Sequence, residues 1–503
     1  MTLLAVSVRV APVLGVVAGC AQLAGIDSTT HAGNTVAVTR MSIGTTVTTA
    51  PQDITGLQAT YFVASKDPSG FDRVAATANP GRGMWTSNLR EPASVSFTLP
   101  DVPTPIPRLF AFPSSQLSVL YGVLEHPSPS PAPDAATFTV TAPLDTLPAV
   151  GEAFQSYVVG AWLARNFAAG ELTVTGMQLT PPAFSFVPGN SVAGRPTLDA
   201  ITAQDAFLVL RYVGSALTGV AEAMPFAQTG ASTAVTTQPM VAVMADQTLD
   251  VKVAPMTLAT RYMKTQPAVG PTLQMNWSLV AAPGYRIASN AGPLLQAGSV
   301  AVATDTGIVA KYGNPFAVRG WNTILTLATV ESRNFLLPGT MAPTPGIDLF
   351  AGMNQFIEPS AGFSLDLPAG LPIVISLDDV PLITDGQKVA QPGKFVTVTF
   401  VVNPAPGVTG PVATLYGLQV FDLAINPATM APERHQTFSA SSNQARFSLP
   451  PELFQVGHNY TLRAVATLGG YPTADQGNFT NRELPLAQGF LDSAVITVMG
   501  LTP

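Results

Sequence analysis

The chain has one cysteine, Cys20, in 503 residues. No intramolecular disulfide can form, so each domain has to be held by burial and needs a full-sized core. A zinc site built on several thiolates is excluded too. Charge is scarce: Asp, Glu, Lys and Arg make up 11% of the residues, against about a quarter in ordinary proteins. No basic cluster occurs, which removes nucleic acid from the expected partners. No apolar run approaches the roughly 20 residues of a membrane helix; the nearest, 367–377, carries Pro368 and Pro372. Long helices have little room, because 46 prolines and 42 glycines interrupt the chain.

What is present begins with the leader. After Arg9, its only early charge, the run Val10-Ala11-Pro12-Val13-Leu14-Gly15-Val16-Val17 is apolar and ends at Val17-Ala18-Gly19-Cys20. A positive start, about 7–15 apolar residues and small residues at the cut make a secretory signal. Val17-Ala18-Gly19-Cys20 resembles the lipobox of bacterial lipoproteins. That resemblance implies cleavage before Cys20, acylation of its thiol and, with Ala21 following, sorting to the outer membrane. Thr2 to Ser7 carry no charge and Val17 stands where leucine is common, two departures from the pattern. Ala21-Gln22-Leu23-Ala24-Gly25-Ile26-Asp27 is similar to the mature N-termini of lipoproteins from myxobacteria and their relatives. Without Arg9 the mature chain has 22 basic and 30 acidic side chains, a formal charge of −8. The expected partner of the N-terminus is the membrane, reached through acyl chains that contribute about 0.8 kcal/mol per buried methylene. The expected location of the body is extracytoplasmic.

Hydrophobic residues make 47% of the chain, enough to offset chain entropy in a folded body. Alternation with a period of two is the strongest pattern. Val95, Phe97 and Leu99 alternate with Ser94, Ser96 and Thr98. Leu249, Val251 and Val253 alternate with Asp250 and Lys252, and Met275, Trp277 and Leu279 with Asn276 and Ser278. Phe395, Thr397 and Thr399 share one face, while Val396, Val398 and Phe400 share the other. One apolar and one hydroxyl or amide face suit antiparallel sheets with a single face on a core. Turn signals such as Asp67-Pro68-Ser69-Gly70 and Asp385-Gly386 lie between them. A helix competes only in 149–168. The pattern predicts an all-β protein of tandem antiparallel β-sandwich domains.

Leu449-Pro450-Pro451-Glu452-Leu453-Phe454-Gln455-Val456-Gly457-His458-Asn459-Tyr460 resembles the corner between two strands of fibronectin type III and related immunoglobulin-like domains. The resemblance implies a tyrosine corner, in which the Tyr460 hydroxyl bonds back to the backbone. The early-strand tryptophan of that family is missing. A fainter echo runs from Leu147 to Val159, around Tyr157. The expected division is a signal peptide over 1–19, a tether over 20–34, a sandwich over 35–180 and one or more over 181–340. Linking strands follow over 341–384, and a fibronectin III-like domain over 385–503. The proline-rich stretch 127–133 reads as a stiff surface loop and 337–346 as a boundary.

The search for chemistry is mostly negative. His31, His126, His435 and His458 form no ligand pair of known spacing. Gly189-Asn190-Ser191-Val192-Ala193 half matches a nucleophile elbow, without the strand-to-helix context that the elbow needs. Asp378, Asp379 and Asp385 are the densest carboxylates and fit no calcium loop; a solvated turn is the plainer reading. Of Trp85, Trp162, Trp277 and Trp321, Trp85 in a stretch that reads as a loop beside Gly83 and Arg82 is the best candidate for stacking a sugar, with burial the default for all four. No cofactor and no catalytic residue are expected. The lipobox, the alternation and the lack of a catalytic motif favour a non-catalytic binding, adhesion or structural element with a protein or carbohydrate partner. The rivals are a β-rich hydrolase of polysaccharide, whose carboxylate pair only a structure would reveal, and a subunit of an envelope complex.

Overall fold

The computed structural model describes residues 34–43, 47–64, 71–89, 94–99, 106–112, 116–125, 136–158, 163–167, 171–181, 184–186, 205–226, 232–253, 255–269, 274–283, 292–300, 306–337, 346–359, 363–365, 370–404, 413–427, 430–481 and 483–500. Cys20 with its leader, His31, His126, Trp162, Ser191, 127–133 and most of the 337–346 stretch lie outside them.

The chain is all-β. The alternating segments become strands with the expected face inward: Val396, Val398 and Phe400 are buried, Thr397 and Thr399 half-buried between them. The 149–168 stretch yields the strands Glu152–Val158 and Leu163–Phe167. Among the described residues the one α-helix is Pro255–Tyr262, which starts on a proline that tolerates a first helical turn. No helix there is long and apolar enough to cross a membrane.

One sheet runs through most of the molecule, strand beside strand. From the strands Leu163–Phe167, Glu152–Val158, Asp205–Val213 and Ala216–Phe226 it passes through Pro293–Val300, Gln274–Pro283, Trp321–Phe335 and Ile347–Ile357. It continues through Leu486–Asp492, Asn459–Gly469, Leu415–Ile425 and Pro432–Ser442. There Ala440 lies beside Leu109 in a parallel pairing, and the sheet carries on through Ile106–Ala111, Ser94–Leu99, Ala59–Ala64 and Phe71–Ala75. A smaller sheet, ordered Val380–Pro381, Leu371–Leu377, Val396–Asn403 and Arg446–Leu449, covers part of it. Ile375, Val398, Phe447 and Leu449 meet Leu418, Val420, Phe438, Leu462 and Ala464 in the largest core.

The N-terminal strands make a second core around Val36, Tyr61, Trp85, Phe97 and Phe110. Leu415, Ala474 and Phe479 join this core from more than 300 residues away, and Asn478 pairs in parallel with Ser118. A third core gathers Val140, Leu144, Phe154, Phe167, Leu179, Phe207, Val209 and Val235, drawn from both sides of position 180. The turn before Phe154 is fastened by Arg211, which donates to both Glu152 oxygens at 2.9 Å and to Asp145 Oδ1 at 2.9 Å. Trp85, the stacking candidate, is fully buried and packs against Phe97 with ring centroids 5.4 Å apart. That corrects its placement in an exposed loop: Gly83 turns the chain so that Trp85 enters a short strand facing inward.

Candidate functional site

Where the N-terminal strands extend beyond the smaller sheet, they leave a cleft of about 360 Å³, within the size range of ligand pockets. Its floor carries Ser94 and Ser96, which alternate with the buried Val95 and Phe97 on one strand, and Leu109 and Ala111 on the next. Phe62 and Phe71 rise from the outermost two strands, and Phe395 leans over from the smaller sheet. Phe395 meets Phe62 edge-on at 5.9 Å and Phe71 at 5.1 Å. The turn Ser442, Asn443, Gln444 between the two sheets and the edge strand with Arg446 and Ser448 complete the wall.

Arg73 lies over two of these rings, with its guanidinium carbon 5.8 Å from the Phe62 centroid and 5.7 Å from that of Phe395. It also pairs with Glu452 at 2.7 Å; both are exposed, so this ion pair is worth at most about 1 kcal/mol. Arg446 is exposed and, among the described residues, is in no ion pair. The lining is thus aromatic, hydroxyl and amide with one available cation. Such a surface can hold an apolar side chain and satisfy a backbone beside it. No acid, histidine or thiol lies among the described residues that line it. The cleft has no signature in the sequence, because its walls come from segments separated by more than 280 residues. The outward Phe395 in an otherwise threonine-bearing face was the one visible sign.

The chain matches no protein-family model, and no curated protein is found to be related to it.

The residues singled out in the sequence lie elsewhere. Tyr460 is buried and its hydroxyl accepts the Gln455 N–H at 3.0 Å, five residues back across the turn. Burial raises its pKa, and the Gln455 contact opposes that. Asp378 and Asp379 both have positive φ, 45° and 63°, and form the two-residue loop between Leu371–Leu377 and Val380–Pro381, a conformation that Asp tolerates better than most residues. Asp378 accepts the Thr397 N–H at 2.7 Å, while Asp385 accepts the Val495 N–H at 2.8 Å and pairs with Arg333. Asp378 and Asp385 therefore fasten turn to sheet, and Asp379 completes the loop. His458 pairs with Asp422 at 2.8 Å and His435 with Glu433 at 3.0 Å. Among the described residues no three His, Cys, Asp or Glu side chains converge to hold a metal ion.

Two buried ionic groups escaped the sequence reading. Asp492 is wholly buried and receives Arg434 at 2.7 and 2.9 Å and Arg463 at 2.7 and 3.0 Å. Burial alone would raise its pKa; the two guanidinium partners outweigh it and hold the carboxyl below its ordinary value. Among the described residues Glu331 has no such partner, and burial pushes it up to about 7. It sits near Tyr262, whose hydroxyl contacts Thr329 Oγ1 at 2.7 Å, and Arg261 beside it is lowered by burial to about 10.

Proposed function

We propose that the protein is a lipid-anchored component of a bacterial envelope, made of sandwich units of the fibronectin III or immunoglobulin kind, and that it binds a partner without chemically changing it. The anchor rests on Val17-Ala18-Gly19-Cys20 at the end of an apolar leader. The domain kinship rests on the Tyr460 hydroxyl bonded back to Gln455. The binding role rests on the phenylalanine-walled cleft, whose hydroxyl and amide lining is suited to recognition. The cleft is the observation that carries the binding role, since it is the place where apolar walls meet hydroxyl and amide groups.

Growth of the native host with an alkyne palmitate analogue tests the anchor. The wild-type protein is expected to carry the label and to sediment with membranes. Cys20→Ser should abolish the label and release the protein. A label that persists on the serine variant would contradict the anchor.

A further inference from the structure

The cleft runs along an unpaired strand edge, and the geometry points to an occupant: an extended peptide segment of a partner protein, added as a further strand to Arg446–Leu449. This rests on reading the cleft as a binding site and names the chemistry of its ligand.

In an antiparallel pair, alternate residues aim their N–H and C=O groups at the neighbour and the others aim them away. The Phe400 N–H donates to the Ala445 carbonyl, while the Thr397 carbonyl accepts from Asp378 on the opposite side. Even-numbered residues of Val396–Asn403 therefore bond the edge strand. By the register, their partners are Phe447 and Leu449. Arg446 and Ser448 accordingly turn two N–H and two C=O groups outward, and those are the residues of the strand that line the cleft. Among the described residues the strand pairs on one side only.

An open edge is a template for another strand, and backbone bonds of this kind supply affinity while pockets for alternate side chains supply selectivity. Here the pocket beside the edge is walled by Phe62, Phe71 and Phe395, which calls for an aromatic or aliphatic anchor. Arg446, exposed and in no ion pair among the described residues, calls for an acidic side chain close to that anchor in the peptide.

The test is selection of a random peptide library on phage against the full chain, followed by fluorescence polarisation with the enriched peptides. The selected sequences should lack proline, alternate apolar and polar residues and carry an acid near an aromatic anchor. Ser448→Pro removes an outward N–H without touching the existing ladder, a substitution edge strands tolerate. It should weaken binding about ten-fold or more, as loss of a backbone bond plus a steric block implies, with Ser448→Ala near wild type. Arg446→Glu should weaken binding several-fold. Hydrogen exchange at the Arg446 and Ser448 amides of the wild-type chain should slow when peptide is added, which keeps the test valid if the proline variant unfolds. No enrichment, or binding with unchanged exchange at those amides, would overturn strand addition. A concentration-dependent dimer broken by Ser448→Pro would overturn it in favour of a second copy as occupant. Peptide binding without exchange protection at those amides would leave the cleft a binding site and overturn strand addition alone, so the two readings fail separately.

Discussion

Arg463 and Asp492 stand opposite each other on adjacent antiparallel strands and meet through two hydrogen bonds, of 2.7 and 3.0 Å. Arg434 approaches the same carboxylate from two strands further along, stacked with its guanidinium carbon 3.7 Å from the Phe421 ring centroid. The Phe350 N–H adds a fifth bond at 2.8 Å. A wholly buried carboxylate survives because every side of it is answered. The trio links the strands Pro432–Ser442, Asn459–Gly469 and Leu486–Asp492.

Removing the anion should therefore cost more than removing either cation. Asp492→Asn leaves two guanidinium groups facing a neutral amide, and breaking a buried pair this way costs about 3–5 kcal/mol. Urea unfolding of the variant should give an unfolding free energy lower by that amount, with Arg463→Gln less affected. Because the carboxyl is held below its ordinary pKa, its stabilisation is present above the unfolded-state pKa and is lost as pH falls through the folded one.

Glu331 behaves in the opposite sense. Its pKa rises from an ordinary 4.5 to about 7 in the folded chain, so the folded state holds the proton more tightly. Stability is then fullest below pH 4.5 on this account and falls as pH rises towards 7, after which the loss is complete. Thermal melting from pH 5 to 8 should show that decline in the wild type and a flatter profile in Glu331→Gln. An unchanged profile would reject the assignment.

Tyr460 makes one hydrogen bond and fills core space, and the two contributions separate by substitution. Tyr460→Phe keeps the ring against Phe454 and should lose about 1 kcal/mol with the Gln455 bond. Tyr460→Ala should lose about 3–5 kcal/mol through the cavity it leaves. Denaturant titration of both variants measures the difference.

Gly352 lies under the Phe490 ring on the neighbouring strand, where an added Cβ would stand 2.2 Å from Cζ. Gly352→Ala should destabilise by about 1–3 kcal/mol, the usual cost of overpacking. Phe490→Leu in the same chain should recover part of that loss.

The strands were legible because alternation is local: Val396 to Phe400 announces its own two faces. The hairpin loop at Asp378 and Asp379 was half legible, since paired acids at a turn have a plain local reason. Trp85 was misplaced because its neighbours, Gly83 and Arg82, look like a loop, while the inward turn is set by packing against Phe97. The helix Pro255–Tyr262 escaped notice because it is short and flanked by strands. The cleft and the Asp492 trio were illegible for another reason. The cleft depends on the pairing of Ala440 with Leu109 and the trio on that of Arg463 with Asp492, which bring together segments that share no sequence signal.

The anchoring of the body is the claim on which the proposed function turns, and one mass measurement addresses it. Protein extracted from the membranes of its native host should give an N-terminal peptide beginning at Cys20 and heavier by the mass of its acyl groups. An N-terminal peptide that begins elsewhere, or that carries an unmodified Cys20, would contradict the account.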